Sequence, residues 1–550
     1  MPSPSSHLRA PLLWLLLPLA AGFGAAKHWP LPARGPGLLL AAAAILALVA
    51  LALAPRVGRV AHAAWAVALT SAVGVTGFVM LHGRDPFLQE RSQRPLREVT
   101  LQLEVTRIFA SHPGSRSISG LARITAAGRN DRDLPGRNIQ FSAIRKVSLP
   151  PREAARYVMQ GILQPLSANP ADGGFNDYLE NLGVHFQLTR AIIRREVSPP
   201  PRMERLRLAA RDRLERILRR GLDRHPPIAS LYLAMVLGEK AMIASDQQDA
   251  FMRSGTFHIF SVSGLHVGVI AIAIYCVFSL SRMPRQPTDI LTLAALGLYV
   301  AITGGGAPSL RAYLMIFFVF GARALQLPNN RLAALTAAAL VTLLIDPMQL
   351  FSTGFQMSYL IMLALMAMGN PLSEKWVAAW HPFSVLPRGN WRWRHHVVDQ
   401  FGRKLLAMLA GCLVAFLAST PAGIAYFQLF SPGSLASNLL VIPAASLALV
   451  SGFASLVAGL IGLSPLSSLF NSAAALLLLG IDGTVRRGTS LPGMWFAAHF
   501  RAEWMAAAAL VAMATVMLAG AAARWSPRWG GYWPPVALLA VTLIFLVKFG

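Results

Sequence analysis

The feature that most constrains this fold is a series of apolar runs, separated by short polar segments, from Pro11 to Lys548. A bilayer is crossed by about 20 apolar residues rising 1.5 Å each, and several runs reach that length. Of the 550 residues, 55% are hydrophobic, which excludes an ordinary soluble protein. We therefore predict a polytopic α-helical membrane protein with about 11 to 13 spans.

The first three runs lie close together and precede any long polar segment. They are Pro11 to Ala26, Gly37 to Ala54 and Ala61 to Leu81. Basic residues concentrate in cytoplasmic loops, and here His7, Arg9, Arg56 and Arg59 mark one side of the membrane. We therefore predict an N-terminal transmembrane domain over residues 1–83, which leaves residue 84 on the external side.

Residues 84–200 have a different pattern, with no run long enough to cross a membrane. Five stretches alternate apolar and polar residues between Gly, Pro and Asp turn signals, which is typical of antiparallel strands. They are Val99 to Phe109, Ser117 to Ala126, Asn138 to Ile144, Val158 to Leu166 and Phe186 to Arg194. We predict a small OB-type β-barrel inserted on the external side. Such barrels often bind single-stranded nucleic acid, but they host other functions too.

Aromatic side chains that could stack on bases are few in this segment. They are Phe109, Phe141, Tyr157, Phe175, Tyr178 and Phe186. A groove for single strands usually needs such platforms. We expect several of these six to serve the barrel core instead.

A basic helix is predicted to follow the barrel, in a linker over residues 201–228. Met203 to Leu222 places Leu and Ile at helical spacing with Arg on the other face. Such a helix fits a membrane surface, a strip that binds phosphates, or a solvated linker. The candidates for binding DNA are Arg194, Arg195, Arg205, Arg213, Arg216 and Arg220.

The excess of positive charge favours a polyanionic partner. The chain has a formal net charge of +26, more than membrane topology usually requires. Residues 84–224 hold 26 Lys and Arg residues against 15 Asp and Glu residues. Nucleic acid and anionic lipid both fit this excess.

The remaining runs predict a transmembrane domain over residues 229–482 and further transmembrane helices over residues 483–550. Ala229 to Leu237 is too short to cross and is expected to be interfacial or buried. Gly369 to Lys404 is expected to be a basic cytoplasmic loop. Leu435 to Leu463, interrupted by Pro443, is one kinked helix or a re-entrant pair. Trp525, Trp529 and Trp533 are expected to form an interfacial aromatic belt.

Polar residues occur inside several of these apolar runs. Polar groups at membrane depth tend to face the bundle interior or a water-filled cavity, so we predict that these residues line a passage. The candidates are His258, Ser261, Ser263, Gly264, His266, Arg311, Gln356, Ser358 and Asn438. The alternative for each His or Ser is that its side chain only hydrogen-bonds to a neighbouring carbonyl and lines no passage. Arg311 either snorkels to the interface or presents its cation to an anionic permeant.

Gly264 and Gly268 have the spacing of a small-xxx-small pair, which predicts a close approach of a neighbouring backbone. The histidines His258 and His266 lie eight positions apart, a spacing that does not match ordinary zinc ligands. We therefore predict no metal site and no cofactor.

Several ordered blocks of this sequence resemble the ComEC family of competence membrane proteins. The block HIFSVSGLHVGV is similar to the family's histidine and SG-x-H signature, and APSLRAYLM is similar to its P-x-x-RA element. DPMQLFSTGFQMSYL and STPAGIAYFQLFSPGSLASNLLVIP resemble its later blocks, while GGFNDYLENLGV resembles the element that closes its N-terminal domain. The resemblance extends from the first spans to about Leu463.

The resemblance implies a channel in the cytoplasmic (inner) membrane that admits one strand of transforming DNA, helped by an external OB-type domain. It also implies a periplasmic DNA receptor and is compatible with a homo-oligomer. The chain has no G-x-x-x-x-G-K-[ST] phosphate loop, so a separate cytoplasmic ATPase is expected to drive transport. Many family members carry a metallo-β-lactamase-like domain, but no H-x-H-x-D-H run occurs here. The sequence therefore predicts no nuclease of that kind here and leaves a separate nuclease open.

Two other functions fit parts of the sequence. A carrier for an anionic lipid or polysaccharide precursor would also need a cationic path, and Gly369 to Lys404 would then be only a topological signal. An intramembrane hydrolase could use Ser261 or Ser263 with His258 or His266. That helix holds no carboxylate to orient the base, so we predict that the protein is not an enzyme.

Overall fold

A computed structural model shows helical segments and one small β-barrel. The structure describes residues 11–549 except 30–34, 54–58, 85–95, 110–115, 129–130, 132–133, 146–149, 167–175, 177–178, 180–181, 224, 239–242, 261–263 and 329. The chain divides into two compact units. We call residues 10–212 and 336–352 the barrel unit, and residues 213–335 and 353–550 the bundle unit.

Seventeen α-helices are numbered here in chain order, among the residues that the structure describes. They are α1 (Leu13–His28), α2 (Gly35–Leu53), α3 (Arg59–Arg84), α4 (Arg202–Arg219), α5 (Pro226–Leu237), α6 (Ser245–Arg253), α7 (Gly264–Ser279), α8 (Arg285–Ile302), α9 (Ala307–Ala324), α10 (Arg331–Ile345), α11 (Thr353–Ala364), α12 (Asn370–Ala379), α13 (Trp393–Phe427), α14 (Ser434–Leu460), α15 (Ser464–Thr489), α16 (Glu503–Ala522) and α17 (Pro534–Val541).

Within the described part of the chain, eight helical segments are long and apolar enough to cross a membrane. They are Gly35–Leu53, Ala63–Gly83, Phe257–Ser279, Thr353–Ala379, Trp393–Phe427, Ser434–Leu460, Ser464–Thr489 and Trp504–Ala522. The prediction of a polytopic helical membrane protein is confirmed. About 11 to 13 spans would require shorter or less apolar helices to cross as well.

The barrel unit begins with three packed helices. Helix α3 contacts both α1 and α2. A Cβ added to Gly22 would lie 2.1 Å from the carbonyl oxygen of Gly74, and one added to Gly77 would lie 2.8 Å from that of Leu19. Larger residues would therefore push α1 and α3 apart, which is why small residues occupy this crossing.

Five strands follow and close into a barrel. They are β1 (Arg97–Ile108), β2 (Ser117–Ala126), β3 (Asn138–Ile144), β4 (Arg156–Pro165) and β5 (Val184–Ser198). Their order around the barrel is β1-β2-β3-β5-β4, with β3 and β5 parallel and the other pairs antiparallel. Irregularities in β1 after Gln102 and Val105 bend this strand, so that it pairs with both β2 and β4. The predicted OB-like barrel is confirmed.

Alternate residues of each strand fill the barrel interior. Phe141, Tyr157 and Phe186 are each at most 1% exposed and belong to this core. They are therefore not available to stack on bases. This agrees with the expectation that several of the six aromatic residues serve the barrel core. Phe175 and Tyr178 lie outside the described residues.

The bundle unit includes a helix that is buried on every side. Helix α5 starts at a pair of prolines and ends at Gly238, which has a φ of 80°. All residues from Ile228 to Leu237 are buried. An apolar helix with no polar face belongs in a core. The buried alternative for Ala229 to Leu237 is therefore correct.

The structure corrects two predictions for the bundle unit, a loop and a domain boundary, and decides between the two alternatives for the run around Pro443. The basic segment from Gly369 to Lys404 is mostly helical, because α12 extends to Ala379 and α13 begins at Trp393. The run around Pro443 forms one helix, α14, and the predicted boundary after residue 482 lies inside α15.

The predicted aromatic belt is wrong for Trp525. This residue is 6% exposed and donates its indole N–H to the carbonyl of Ala367 at 2.7 Å. That carbonyl lies in a π-helical turn, Leu365–Gly369, which interrupts the helical bonding pattern and needs a donor from elsewhere. Trp533 remains 74% exposed.

A small sheet of three short strands was not predicted. Its strands are β6 (Leu429–Phe430), β7 (Phe496–Phe500) and β8 (Val547–Phe549), all antiparallel. The rings of Phe430, Phe496 and Phe549 pack together with centroids 5.9 to 6.3 Å apart. Strands of two to five residues are too short to show a period in the sequence.

Candidate functional site

Five helices of the bundle unit contact one another in a closed order. Helix α7 contacts α9, α9 contacts α11, α11 contacts α13, α13 contacts α14, and α14 contacts α7. The pairwise contacts therefore form a closed cycle of five helices. We call this arrangement the helix ring.

Each of the five helices places a polar candidate, or a residue close to one, at the same end of the helix ring. A Cβ added to Gly264, at the start of α7, would lie 4.0 Å from the Cβ of Ala312 near the start of α9. Nη2 of Arg311 on α9 donates to the hydroxyl of Ser358 on α11 at 3.2 Å. The hydroxyl of Tyr426, at the end of α13, donates to Oε1 of Gln356 on α11.

The start of α14 lies at this end too. A Cβ added to Gly255 would lie 2.6 Å from the Cβ of Ser434, and His258 hydrogen-bonds to the backbone of Gly255. The N-termini of α7, α9, α11 and α14 and the C-terminus of α13 thus gather at one end of the ring. We call this end the ring mouth.

Arg311 is buried beneath the ring mouth. Its side chain is 2% exposed, which excludes snorkelling to the interface. The guanidinium contacts Ser358 and lies so near Gly354 that an added Cβ would be 3.0 Å from Nη2. Tyr359, on the same helix as both, also interacts with it electrostatically. A glycine at position 354 thus lets the guanidinium approach the backbone of α11 closely.

The two histidines lie near each other at the start of α7. His266 is fully buried and hydrogen-bonds to the backbone of Ile259. His258 hydrogen-bonds to the backbone of Gly255. Each imidazole therefore makes the local hydrogen bond that was the alternative to lining a passage. The two rings nevertheless interact electrostatically with each other. The side chain of His258 is exposed, whereas that of His266 is not.

Proline residues add polar backbone groups near the mouth. Pro443 in α14 and Pro421 in α13 lack the N–H that would bond the carbonyl four residues earlier. Asn438 precedes Pro443 by about one turn, and its side chain is partly exposed. Its Oδ1 makes no hydrogen bond to any residue that the structure describes.

Some of the predicted lining residues cannot be placed and one packing prediction is wrong. Ser261 and Ser263 lie outside the described residues, as does most of the GGFNDYLENLGV element. A Cβ added to Gly268 would meet no described atom within 4 Å. The close backbone approach predicted from Gly264 and Gly268 is therefore absent at Gly268, since no described neighbour is near.

Sequence reasoning missed Gly354, Tyr359, Tyr426 and Asn471. Gly354 and Tyr359 flank the candidates Gln356 and Ser358 in the sequence, and Tyr426 lies in one of the blocks that carry the family resemblance. Asn471 is fully buried in α15 and lies outside those blocks. It donates Nδ2 to the carbonyls of Ile217 at 2.8 Å and Arg220 at 3.1 Å, and it accepts a bond from the hydroxyl of Tyr232 at 3.2 Å. It therefore caps the end of α4.

The three arginine candidates of the bundle unit lie at the end of α4 and directly after it, on one face. Arg213, Arg216 and Arg220 are spaced three and four positions apart, which aligns them along the helix. All three are exposed, and Arg220 also donates to the hydroxyl of Ser464 at 3.0 Å. The carboxylate of Glu215 is engaged by Arg219 at 2.7 Å. The three guanidinium side chains therefore form an exposed row, which we call the arginine row.

The remaining arginine candidates belong to the barrel unit. Arg205 is exposed on the first half of α4. Arg194 and Arg195 are exposed on β5, and Nε and Nη2 of Arg194 donate to Oε1 of Gln160 at 3.2 and 3.1 Å.

Comparisons with known proteins agree with this architecture. ComE operon protein 3 of Bacillus subtilis (strain 168) is 23% identical to the chain over 320 residues. The alignment covers 56% of the chain but only 38% of that relative. No solved protein structure is significantly similar. Residues 235–527, which include all five helices of the ring, match the competence protein family. This multi-pass membrane protein therefore belongs to the competence protein family.

Proposed function

We propose that the protein is a channel subunit that takes up single-stranded DNA across the cytoplasmic membrane during natural competence. The observation that carries this proposal is the gathering of Arg311, His258, Gln356 and Asn438 at one end of a ring of five helices. Polar and cationic groups at membrane depth are costly, and they are found where they serve a pathway.

The ring mouth has a positive electrostatic character that suits phosphates. Four helices point their N-termini toward it and α13 points its C-terminus toward it. Each N-terminus carries about half a positive charge and the C-terminus about half a negative charge, so the sum is positive. Arg311 adds a full positive charge just beneath. A strand with one phosphate per nucleotide would exchange the water around its phosphates for contacts with these groups. The attraction between a cationic groove and the phosphate backbone does not depend on base sequence.

The barrel and the arginine row on α4 have a supporting role in the proposal. Both are predicted to lie on the external side, where positive charge would concentrate DNA by releasing its counterions. Strand entry needs energy that no recognised element of this chain supplies. A cytoplasmic ATPase, an external DNA receptor and a nuclease are therefore proposed as separate partners.

Thiol labelling at Gln356 tests whether the ring mouth is a wet path for DNA. In a Cys276→Ala, Cys412→Ala background, we expect Gln356→Cys to react with a water-soluble cationic thiosulfonate. Attachment of the bulky group should reduce import of labelled DNA into a nuclease-resistant state by about tenfold. Added single-stranded DNA should slow the reaction.

The matched control is Leu298→Cys on α8, an apolar position that is 63% exposed. If position 298 faces lipid, it should react slowly, and labelling it should leave import unchanged. Fast labelling at position 356 with full import would mean that the mouth is accessible but does not carry DNA. The carrier for an anionic lipid or polysaccharide precursor would then be the better interpretation.

The arginine row is expected to bind phosphates directly. Replacing Arg213, Arg216 and Arg220 by glutamine in the full-length protein should weaken single-stranded DNA binding at low salt. It should also lower the slope of log affinity against log salt by about 2, since each phosphate contact on a single strand contributes about 0.7. A control variant with glutamine at Arg282, Arg285 and Arg331 should keep the slope. An unchanged slope in both variants would assign α4 to a purely structural role.

A further inference from the structure

Helix α13 is much longer than a membrane requires. Its 35 residues extend about 52 Å at 1.5 Å per residue, whereas the hydrocarbon core of a bilayer is about 30 Å thick. The apolar run proper begins at Leu405. The first twelve positions, 393–404, therefore lie beyond the apolar run and have to be explained separately. We call these positions the basic extension.

One face of the basic extension is apolar and uncovered. Trp393, Val397 and Phe401 are 70%, 55% and 66% exposed. Their spacing of four residues keeps them within a sector of about 80° on the helix. Bulky side chains so exposed at consecutive turns form a continuous strip, and a strip of this kind indicates a surface that binds something.

The opposite face of the same helix is covered by the preceding loop. The ring of Trp380 lies directly on the helix backbone, where a Cβ added to Gly402 would come within 2.4 Å of it. The ring of Phe383 packs against His395 with centroids 4.7 Å apart, and Trp391 packs against His396 at 5.3 Å. The chain thus half-buries aromatic rings on one side of the helix while leaving Trp393 and Phe401 exposed on the other.

Positive charge borders the uncovered strip. Arg392, Arg394 and Lys404 are exposed, and the guanidinium of Arg394 lies 5.5 Å from the ring centroid of Trp393. The carboxylate in this stretch, Asp399, is paired with Arg403 at 2.8 Å on the other side. The apolar strip is therefore flanked by cations whose charge is available to a partner.

We propose that the basic extension binds anionic phospholipid at the membrane surface. An aromatic and aliphatic strip bordered by Arg and Lys has the composition of helices that lie at this interface. The strip continues directly into a membrane-spanning segment, so lipid is the neighbour that it meets first. Valine at position 397 favours acyl chains over nucleic acid, because bases stack on aromatic rings. This proposal does not depend on a role in DNA uptake.

Spin labels on the full-length protein in nanodiscs test the proposal. In a Cys276→Ala, Cys412→Ala background, the Phe401→Cys variant carries a nitroxide on the strip. The Val385→Cys variant carries one on the loop, where the side chain is 95% exposed. With phosphatidylglycerol in a phosphatidylcholine bilayer, the label at position 401 should become accessible to oxygen and protected from a water-soluble nickel chelate. The label at position 385 should stay accessible to the chelate.

The charges are tested by glutamine at Arg392, Arg394 and Lys404. At a fixed phosphatidylglycerol fraction, the equilibrium constant for immersion of the label should fall about fivefold for each charge removed. Glutamine at Arg282, Arg285 and Arg331 should not change it.

Three results would overturn the proposal. The label at position 401 could remain exposed to water at every lipid composition. Immersion could occur equally without phosphatidylglycerol, so that anionic headgroups are not recognised. A single-stranded oligonucleotide could protect the label where phosphatidylglycerol does not, which would assign the strip to nucleic acid.

Discussion

Replacing Arg311 by glutamine is expected to lower import of labelled DNA by about 10- to 100-fold, with DNA binding at the cell surface unchanged. The guanidinium is buried beneath the ring mouth and donates to Ser358. Hydrogen bonds that involve a charged group contribute about 1.5 to 3 kcal/mol, and each 1.4 kcal/mol corresponds to a tenfold change. Glutamine keeps a donor for Ser358 but removes the positive charge from the mouth. Nuclease-resistant labelled DNA per cell is the measurement.

Two companion variants separate charge from packing at this position. Arg311→Lys keeps the charge but loses the planar fork, so import should be intermediate. Arg331→Gln removes an exposed charge and should leave import at its normal level. If Arg311→Gln imports DNA normally while the protein remains at its usual level in the membrane, Arg311 has only a structural role. The proposal of a phosphate-attracting mouth would then lose its main support.

Replacing Asn471 by leucine is expected to reduce the free energy of unfolding by about 2 to 6 kcal/mol, since the carbonyl of Ile217 keeps the backbone N–H of Arg220 as a donor. The amide bonds two carbonyls at the end of α4 and the hydroxyl of Tyr232, and all three partners lie in or beside the core. Each buried polar group left without a partner costs about 1 to 3 kcal/mol. Leucine has a similar volume, so the loss reflects hydrogen bonding more than packing. Unfolding of the purified protein in mixed micelles, followed against the fraction of denaturing detergent, measures the loss.

The variant Tyr232→Phe provides the matched comparison. It removes one bond of the three and leaves Oδ1 of Asn471 without this donor, so the expected loss is about 1 to 3 kcal/mol. The two losses should not add in a double variant, because both remove the same Tyr232–Asn471 contact. Equal stability of Asn471→Leu and the parent protein would show that water replaces the amide and that the cap is unimportant.

The sequence determined the local elements of this protein closely. The strands β2 and β3 have the bounds that the alternating pattern predicted, Ser117–Ala126 and Asn138–Ile144. Alternation and turn residues act over a few neighbouring positions, so a single stretch contains all the information needed. The same holds for apolar runs, because the length of a helix that crosses a bilayer is set by the bilayer.

Helix ends near polar residues were harder to predict. The segment Gly369 to Lys404 was predicted as a loop because it is basic. Its first third continues a helix, and its last third begins α13. Charge indicates the side of the membrane but does not break a helix. Only Pro, Gly or a capping residue does that locally.

The contacts that make up the candidate site were decided by the tertiary structure. Arg311 and Ser358 are 47 positions apart, Gln356 and Tyr426 are 70 apart, and Asn471 and Ile217 are 254 apart. The sequence marked Arg311, Ser358 and Gln356 as out of place in lipid, but it could not pair them with their partners. Pairing depends on how helices pack, and shape complementarity between distant segments is not expressed in any local period. Trp525 shows the same limit, since its sequence neighbours indicate an interface while a carbonyl on another helix holds it in the core.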